Sequence, residues 1–230
     1  MKTIFLFDID GTLVSTGGAG RRSIERAFDA LHSRPDACAA ISFDGMTDRA
    51  IVRGGLRAID VEPTDARIDA VLARYVEVLH EEVRATSDAD YVVHPGARTL
   101  VAEANAQGHA VGLGTGNIRE GARAKLERVQ LFSAFAFGGY GDDHELRPEL
   151  IRAGAQRGAQ RLGVELASAR VVIIGDTPRD VDAARAIGAQ SLGVGTGRHS
   201  ARELLDAGAT WAFDTLADAG VREALFDPSR

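Results

Sequence analysis

Short apolar runs rich in β-branched and aromatic residues recur along the chain, at residues 3–9, 109–114, 135–138, 170–174 and 191–194. Each is short and continuously hydrophobic, the pattern of a strand buried on both faces. Between the later runs the period lengthens to that of a helix. Leu100, Val101 and Ala104 share a face over residues 97–106, and a second helical segment at 180–187 meets a stop at Gly188. Alternating strands and helices predict an α/β fold, a mostly parallel sheet with helices on both faces.

The interval after the first strand is different. Residues 15–91 carry helical periodicity and almost no strand signal. Ile24, Ala27, Phe28 and Leu31 mark one apolar face; Thr64 and Asp65 could open a longer helix whose stripe is Ile68, Val71, Leu72, Tyr75, Val76, Leu79 and Val83. A crossover between parallel strands needs only about a dozen residues. The surplus predicts a small all-helical cap at 15–91, inserted into a core formed by residues 1–14 and 92–230.

Composition narrows the function classes. The 230 residues include 27 basic and 33 acidic side chains, a net charge of −6, and no basic run longer than Arg21-Arg22. A duplex nucleic-acid binder needs a basic face, so no nucleic-acid partner is expected. The lone Cys38 cannot form an internal disulfide, and Asp8 interrupts the first apolar run well before spanning length. A cytoplasmic protein with no membrane partner is the expectation; monomer and dimer both stay open. Neither lysine, Lys2 or Lys125, follows a glycine as a Walker loop requires. The glycine-bearing stretches 112–117 and 193–198 lack the last glycine of the dinucleotide fingerprint. His80-Glu81-Glu82-Val83-Arg84 has arginine where a zinc-protease helix needs its second histidine. No Gly-x-Ser-x-Gly elbow is present.

The most informative segment is Asp8-Ile9-Asp10-Gly11-Thr12, directly after the first apolar run. Carboxylates two residues apart at a strand's carboxyl end point to the same side, into the crevice where open α/β sheets bind ligands. Their repulsion calls for a cation, and a hard ion such as Mg2+ suits carboxylates, water and a phosphate. A carboxylate can also attack phosphorus as a nucleophile.

On these residues the sequence resembles the haloacid dehalogenase superfamily, in particular its phosphoglycolate phosphatase-like branch with a helical cap, and that resemblance implies a Rossmann-like core. It implies further that Asp8 is the nucleophile and Asp10 the general acid and base, with the Asp10 carbonyl also holding Mg2+. Val111 to Asn117 matches the second motif of that family, which makes Thr115 a phosphoryl donor with Gly116 and Asn117 beside it. The third motif, usually a lysine at a helix start, is matched by Arg147-Pro148. Arginine is larger and planar, so this is a departure in geometry. Lys125 is the weaker candidate, since it lies in a helical pattern where most charges are solvated. The fourth motif is matched by the apolar strand running into Gly175-Asp176-Thr177-Pro178-Arg179-Asp180. By resemblance Asp176 ligates Mg2+, with Asp180 orienting a neighbouring ligand; as ordinary residues both also suit a helix start. In the cap, Gly45-Met46-Thr47-Asp48-Arg49 matches a loop that faces substrate, with Thr47 and Arg49 as substrate contacts or, equally, as a helix cap and a solvated charge.

The activity implied is Mg2+-dependent hydrolysis of a small phosphate monoester, such as phosphoglycolate or another organic phosphate, through an aspartyl-phosphate. A phosphomutase of the β-phosphoglucomutase type shares that intermediate, and a catalytically idle binding domain shares the scaffold.

Overall fold

The computed structural model describes residues 2–227. Strands β1 (Thr3–Phe7), β4 (Ala110–Gly114), β5 (Phe137–Gly139), β6 (Arg170–Gly175), β7 (Gln190–Val194) and β8 (Trp211–Phe213) form one parallel sheet in the order β5-β4-β1-β6-β7-β8. The central β1 is wholly buried, as its unbroken apolar run requires. Its side chains alternate. Phe5 and Phe7 join one cluster with helices α4 (Ala97–Ala106), α5 (Arg119–Arg128) and α9 (Ala219–Phe226). Ile4 and Leu6 join another with α6 (Arg147–Leu162) and α7 (Pro178–Ala186). Both faces are thus covered, and every strand carboxyl end opens on the same edge.

The segment after β1 contains α1 (Ala19–His32), α2 (Asp48–Ala58) and α3 (Asp65–Ala85). Their apolar stripes, including Ile24, Phe28, Val52, Leu56, Val71 and Leu79, form a separate core. Thr64 caps α3 by accepting from the Arg67 N–H, as the sequence suggests. In detail the stripe differs: Val78 is fully buried where Val76 is only partly so, and Leu31 is 45% exposed.

Three strands have no counterpart in the sequence reading. Val14–Thr16 (β2) and Tyr91–Val93 (β3) pair antiparallel, so a small ribbon joins the two ends of the helical segment. β8 closes the sheet edge, and a short helix α8 (Ala201–Asp206) precedes it. Three-residue strands are too short to show a period. Among the described residues, no helix is long and apolar enough to cross a membrane.

Candidate active site

β1 ends at Phe7, and the Asp8 N–H still bonds the Ile174 carbonyl, 2.8 Å away on β6. The chain then turns tightly. Leu13 and Val14 donate to the Ile9 carbonyl, and Gly11 takes a φ of +79°, which a residue with a side chain rarely adopts. The turn leaves Asp8 buried and the Asp10 side chain 44% exposed at the rim of a cavity of about 600 Å³.

β6, the neighbour of β1 in the sheet, delivers Asp176, and the first turn of α7 delivers Asp180. Carboxylate oxygens of Asp8, Asp176 and Asp180 lie within 4.8 Å of one another, all buried. Glycines make room for them: a methyl at Gly175 would lie 2.2 Å from the Asp180 Cγ, and methyls at Gly11 and Gly197 would lie 2.2 and 1.8 Å from Asp176 Oδ2. Asp180 is fully engaged. Its Oδ2 accepts from the Thr177 N–H and hydroxyl, locking the start of α7, and its Oδ1 accepts from Arg147 Nε at 3.0 Å. Among the described residues, Asp176 accepts only from the Thr12 hydroxyl, at 3.1 Å.

Arg147, at the start of α6, is 7% exposed and bonds Asp8 Oδ2 at 2.7 Å and the Gly45 carbonyl at 3.2 Å. One guanidinium therefore faces three carboxylates. Burial pushes Asp8 up to about 6, offset in part by Arg147 and the Thr115 hydroxyl. Burial together with the Asp180 and Asp8 charges pushes Asp176 well above the carboxylate range. With all three ionised and Arg147 charged, two negative charges remain uncompensated. That deficit, an oxygen-only donor set and the nearly partnerless Asp176 fit one hard divalent cation.

A second cation occupies the other side of the site. Lys125, set aside in the sequence as a solvated helix charge, is 4% exposed; its Nζ bonds Asp10 Oδ2 and Asn117 Oδ1, each at 2.6 Å. Asn117 Nδ2 in turn donates to Asp10 Oδ2 and to Thr115 Oγ1, each at 2.9 Å. The helical pattern around residue 125 forms α5, and its Lys125 face turns inward, under the first turn of α1.

The remaining expectations divide. Asp8, Asp10, Thr115, Arg147, Asp176 and Asp180 come together at the strand ends. Gly116 also lines the cavity, and its carbonyl accepts from the Asp48 N–H at 2.8 Å. Thr47 and Arg49 are not brought to the cavity. Thr47 caps α2, accepting from the Ala50 N–H and donating to the Glu145 carbonyl at 3.0 Å. Arg49 pairs with Asp65 and Asp69 and lines a different groove. The helix cap uses the Thr47 hydroxyl as acceptor and the Glu145 carbonyl takes its proton, while two carboxylates one turn apart on α3 draw the arginine away. Arg53 likewise pairs with Glu145 at 2.9 Å.

Sequence reasoning missed two contributors. The loop after β7, Gly195 to Arg198, was weighed only as a dinucleotide fingerprint, yet Thr196, Gly197 and Arg198 line the cavity. A glycine-rich turn after a buried parallel strand was the available signal. Asp48, buried on α2, accepts from the Ile118 N–H at 2.9 Å and so joins the helical segment to the start of α5. Burial pushes it up to about 6.

A doubly covered parallel sheet, with an acidic cluster and an arginine at its carboxyl edge and a helical insertion after the first strand, is the layout of an α/β enzyme whose site lies at the strand ends. The chain belongs to the haloacid dehalogenase-like hydrolase family, whose model matches residues 2–188. It is 30% identical over 228 residues to the probable phosphatase IndB of Dickeya dadantii, covering 98% of this chain and 95% of that protein. The fold is similar to CbbY from Rhodobacter sphaeroides in complex with phosphate, at a TM-score of 0.71 and 21% identity over 96% of this chain and 97% of the other. It is also similar to a hydrolase from Pseudomonas syringae, at a TM-score of 0.67 and 20% identity over 94% and 95%.

Proposed function

We propose that this chain is a Mg2+-dependent phosphatase that hydrolyses a small phosphate monoester through an aspartyl-phosphate on Asp8. The observation that carries the reading is the position of Asp8: buried at the end of the central strand, held by Arg147, within 4.8 Å of Asp176 and Asp180. A structural capping role would not bury three carboxylates against one guanidinium. The similarity to a probable phosphatase and to a fold seen with bound phosphate supports the same chemistry.

Asp8 and Asp176, with the Asp10 carbonyl, would hold the cation, and Asp180 would keep Arg147 and the start of α7 in place. When bound, the cation supplies compensation for the charge on Asp8 and on the phosphoryl oxygens. The residues do the rest. A carboxylate oxygen of Asp8 bonds to phosphorus as the bond to the leaving oxygen breaks, and Asp10 gives that oxygen its proton. Asp10 then takes a proton from water as the water oxygen attacks phosphorus, releasing inorganic phosphate and restoring Asp8. Arg147 and Thr115 would neutralise phosphoryl oxygens in flight. The helical segment 15–91 would act as the cap, excluding bulk water from the intermediate.

The test is release of phosphate from p-nitrophenyl phosphate with Mg2+ and with excess chelator. Activity that survives chelation refutes the metal assignment, and a folded Asp8→Asn variant with undiminished turnover refutes the nucleophile.

A further inference from the structure

We infer that Lys125 is a positioning residue that fixes which oxygen of Asp10 carries the transferable proton; the inference rests on the phosphatase reading above. Both hydrogen bonds described for the Asp10 carboxylate arrive at the same atom. Oδ2 accepts from Lys125 Nζ at 2.6 Å and from Asn117 Nδ2 at 2.9 Å. An oxygen that already accepts two N–H bonds has no room for a proton of its own, so the acid form of Asp10 is protonated on Oδ1. Oδ1 belongs to a side chain that is 44% exposed at the cavity rim, whereas the Lys125 side chain behind it is 5% exposed. The clamp therefore turns the reactive oxygen outward and keeps the other inward.

Among the described residues, Lys125 pairs with one carboxylate, that of Asp10. Its other hydrogen bond goes to Asn117 Oδ1 at 2.6 Å, and Asn117 is itself tied to Thr115. Asn117 is thus held at three points, and Thr115, Asn117, Lys125 and Asp10 form one closed network on the side of the site opposite Arg147. Above the lysine, α1 crosses at Gly20, where an added methyl would lie 3.4 Å from Nζ. The ammonium is roofed by the helical segment, and water has little access with which to loosen the clamp.

The two carboxylates that follow β1 accordingly bond different cations: Arg147 bonds Asp8, and Lys125 bonds Asp10. The two cations have different duties. Arg147 acts on the phosphoryl side. Lys125 acts on the leaving-group side, directly on Asp10, while its bond to Asn117 steadies Thr115.

That division has a kinetic signature which a merely structural role lacks. kcat/KM covers the steps up to departure of the leaving group, and an alkoxide must be protonated as it leaves while a p-nitrophenolate need not be. Lys125→Met is to be assayed against a simple alkyl phosphate and against p-nitrophenyl phosphate, with Mg2+ present. We expect roughly a hundredfold loss of kcat/KM for the alkyl ester and less than about threefold for the aryl ester. In an Asp10→Asn background the same substitution should produce no further loss. Equal losses on the two esters, no loss on either, or a full additional loss beside Asp10→Asn would each overturn the inference. If Lys125→Met does not fold, Lys125→Arg keeps the charge but displaces the donor, and the same unequal losses are required of it. A wild-type enzyme that releases phosphate from neither ester would instead refute the phosphatase reading.

Discussion

Gly197 offers the sharpest test of the acidic cluster, because its side of the site can be changed without touching a charged group. Its backbone is outside the left-handed region, so alanine brings no conformational strain there. The added methyl would nevertheless lie 1.8 Å from Asp176 Oδ2 and 2.7 Å from its Cγ. To reach even 3.0 Å from that oxygen the carboxylate must retreat by about 1.2 Å, the difference of the two distances. Gly197 is exposed and the clashing group is the free end of a side chain, so the fold has no reason to move. A misplacement near 1 Å in an organised site costs on the order of a hundredfold in rate. Stability should stay within about 1 kcal/mol of wild type, since the alanine also reduces the freedom of the unfolded chain. The assay is p-nitrophenyl phosphate turnover as a function of Mg2+ concentration, paired with a thermal melt. We expect a fall in kcat/KM of roughly a hundredfold and a higher Mg2+ requirement, at nearly unchanged Tm. An unchanged kcat/KM and Mg2+ requirement would show that Asp176 is not a working member of the site.

Two further outcomes follow from the charge placement. Asp48 is buried and its pKa is raised from 3.8 to about 6, so its ionisation opposes folding: the cost is absent below about pH 4, grows as pH rises, and is complete above about pH 6. Asp48→Asn keeps the carbonyl that accepts from Ile118 and should raise stability at pH 8 by up to about 3 kcal/mol. Thermal melts at pH 4 and pH 8 check this; a difference that does not grow with pH contradicts it. Among the described residues Arg49 pairs only with Asp65 and Asp69, both exposed, so Arg49→Ala should cost under about 1 kcal/mol and leave KM within twofold. A KM raised tenfold would return Arg49 to the substrate.

How far the sequence could be read depended on whether a signal was local. Strand β1 and the acids that follow it were legible, because continuous burial and the abrupt Asp8-Ile9-Asp10 ending lie within one short segment. The helix over 97–106 was legible for the same reason, its face repeating within three turns. Strands β2 and β3 were not. They are three residues each, paired across the whole helical insertion, and their stability comes from that distant pairing rather than from their own pattern. Thr47 and Arg49 show a different limit: the loop suits a substrate contact and a helix cap equally, and a local cap and two carboxylates on α3 engage those side chains.

Lys125 shows why residue identity alone misleads about charge. A lysine in a helical pattern with Arg123, Glu127 and Arg128 around it reads as part of a solvated face. What buries it is the placement of α1 over that face and of Asp10 at the sheet edge, neither of which is encoded near residue 125. The arginine at position 147 makes this placement consequential. A planar fork that spans Asp8 and Asp180 is committed to the phosphoryl side and, in this geometry, supplies no bond to Asp10. A general acid at the rim of a cavity needs one orientation among several that solvent would allow. A compact ammonium with a single strong carboxylate partner provides it. The replacement of lysine by arginine in the third motif and the burial of a lysine on α5 are thus two halves of one arrangement, and reverting the first should not remove the need for the second. In an Arg147→Lys background, Lys125→Met should still cost the alkyl ester far more than the aryl ester. If Arg147→Lys instead makes Lys125 dispensable, the two cations are interchangeable and the separate roles assigned to them are wrong.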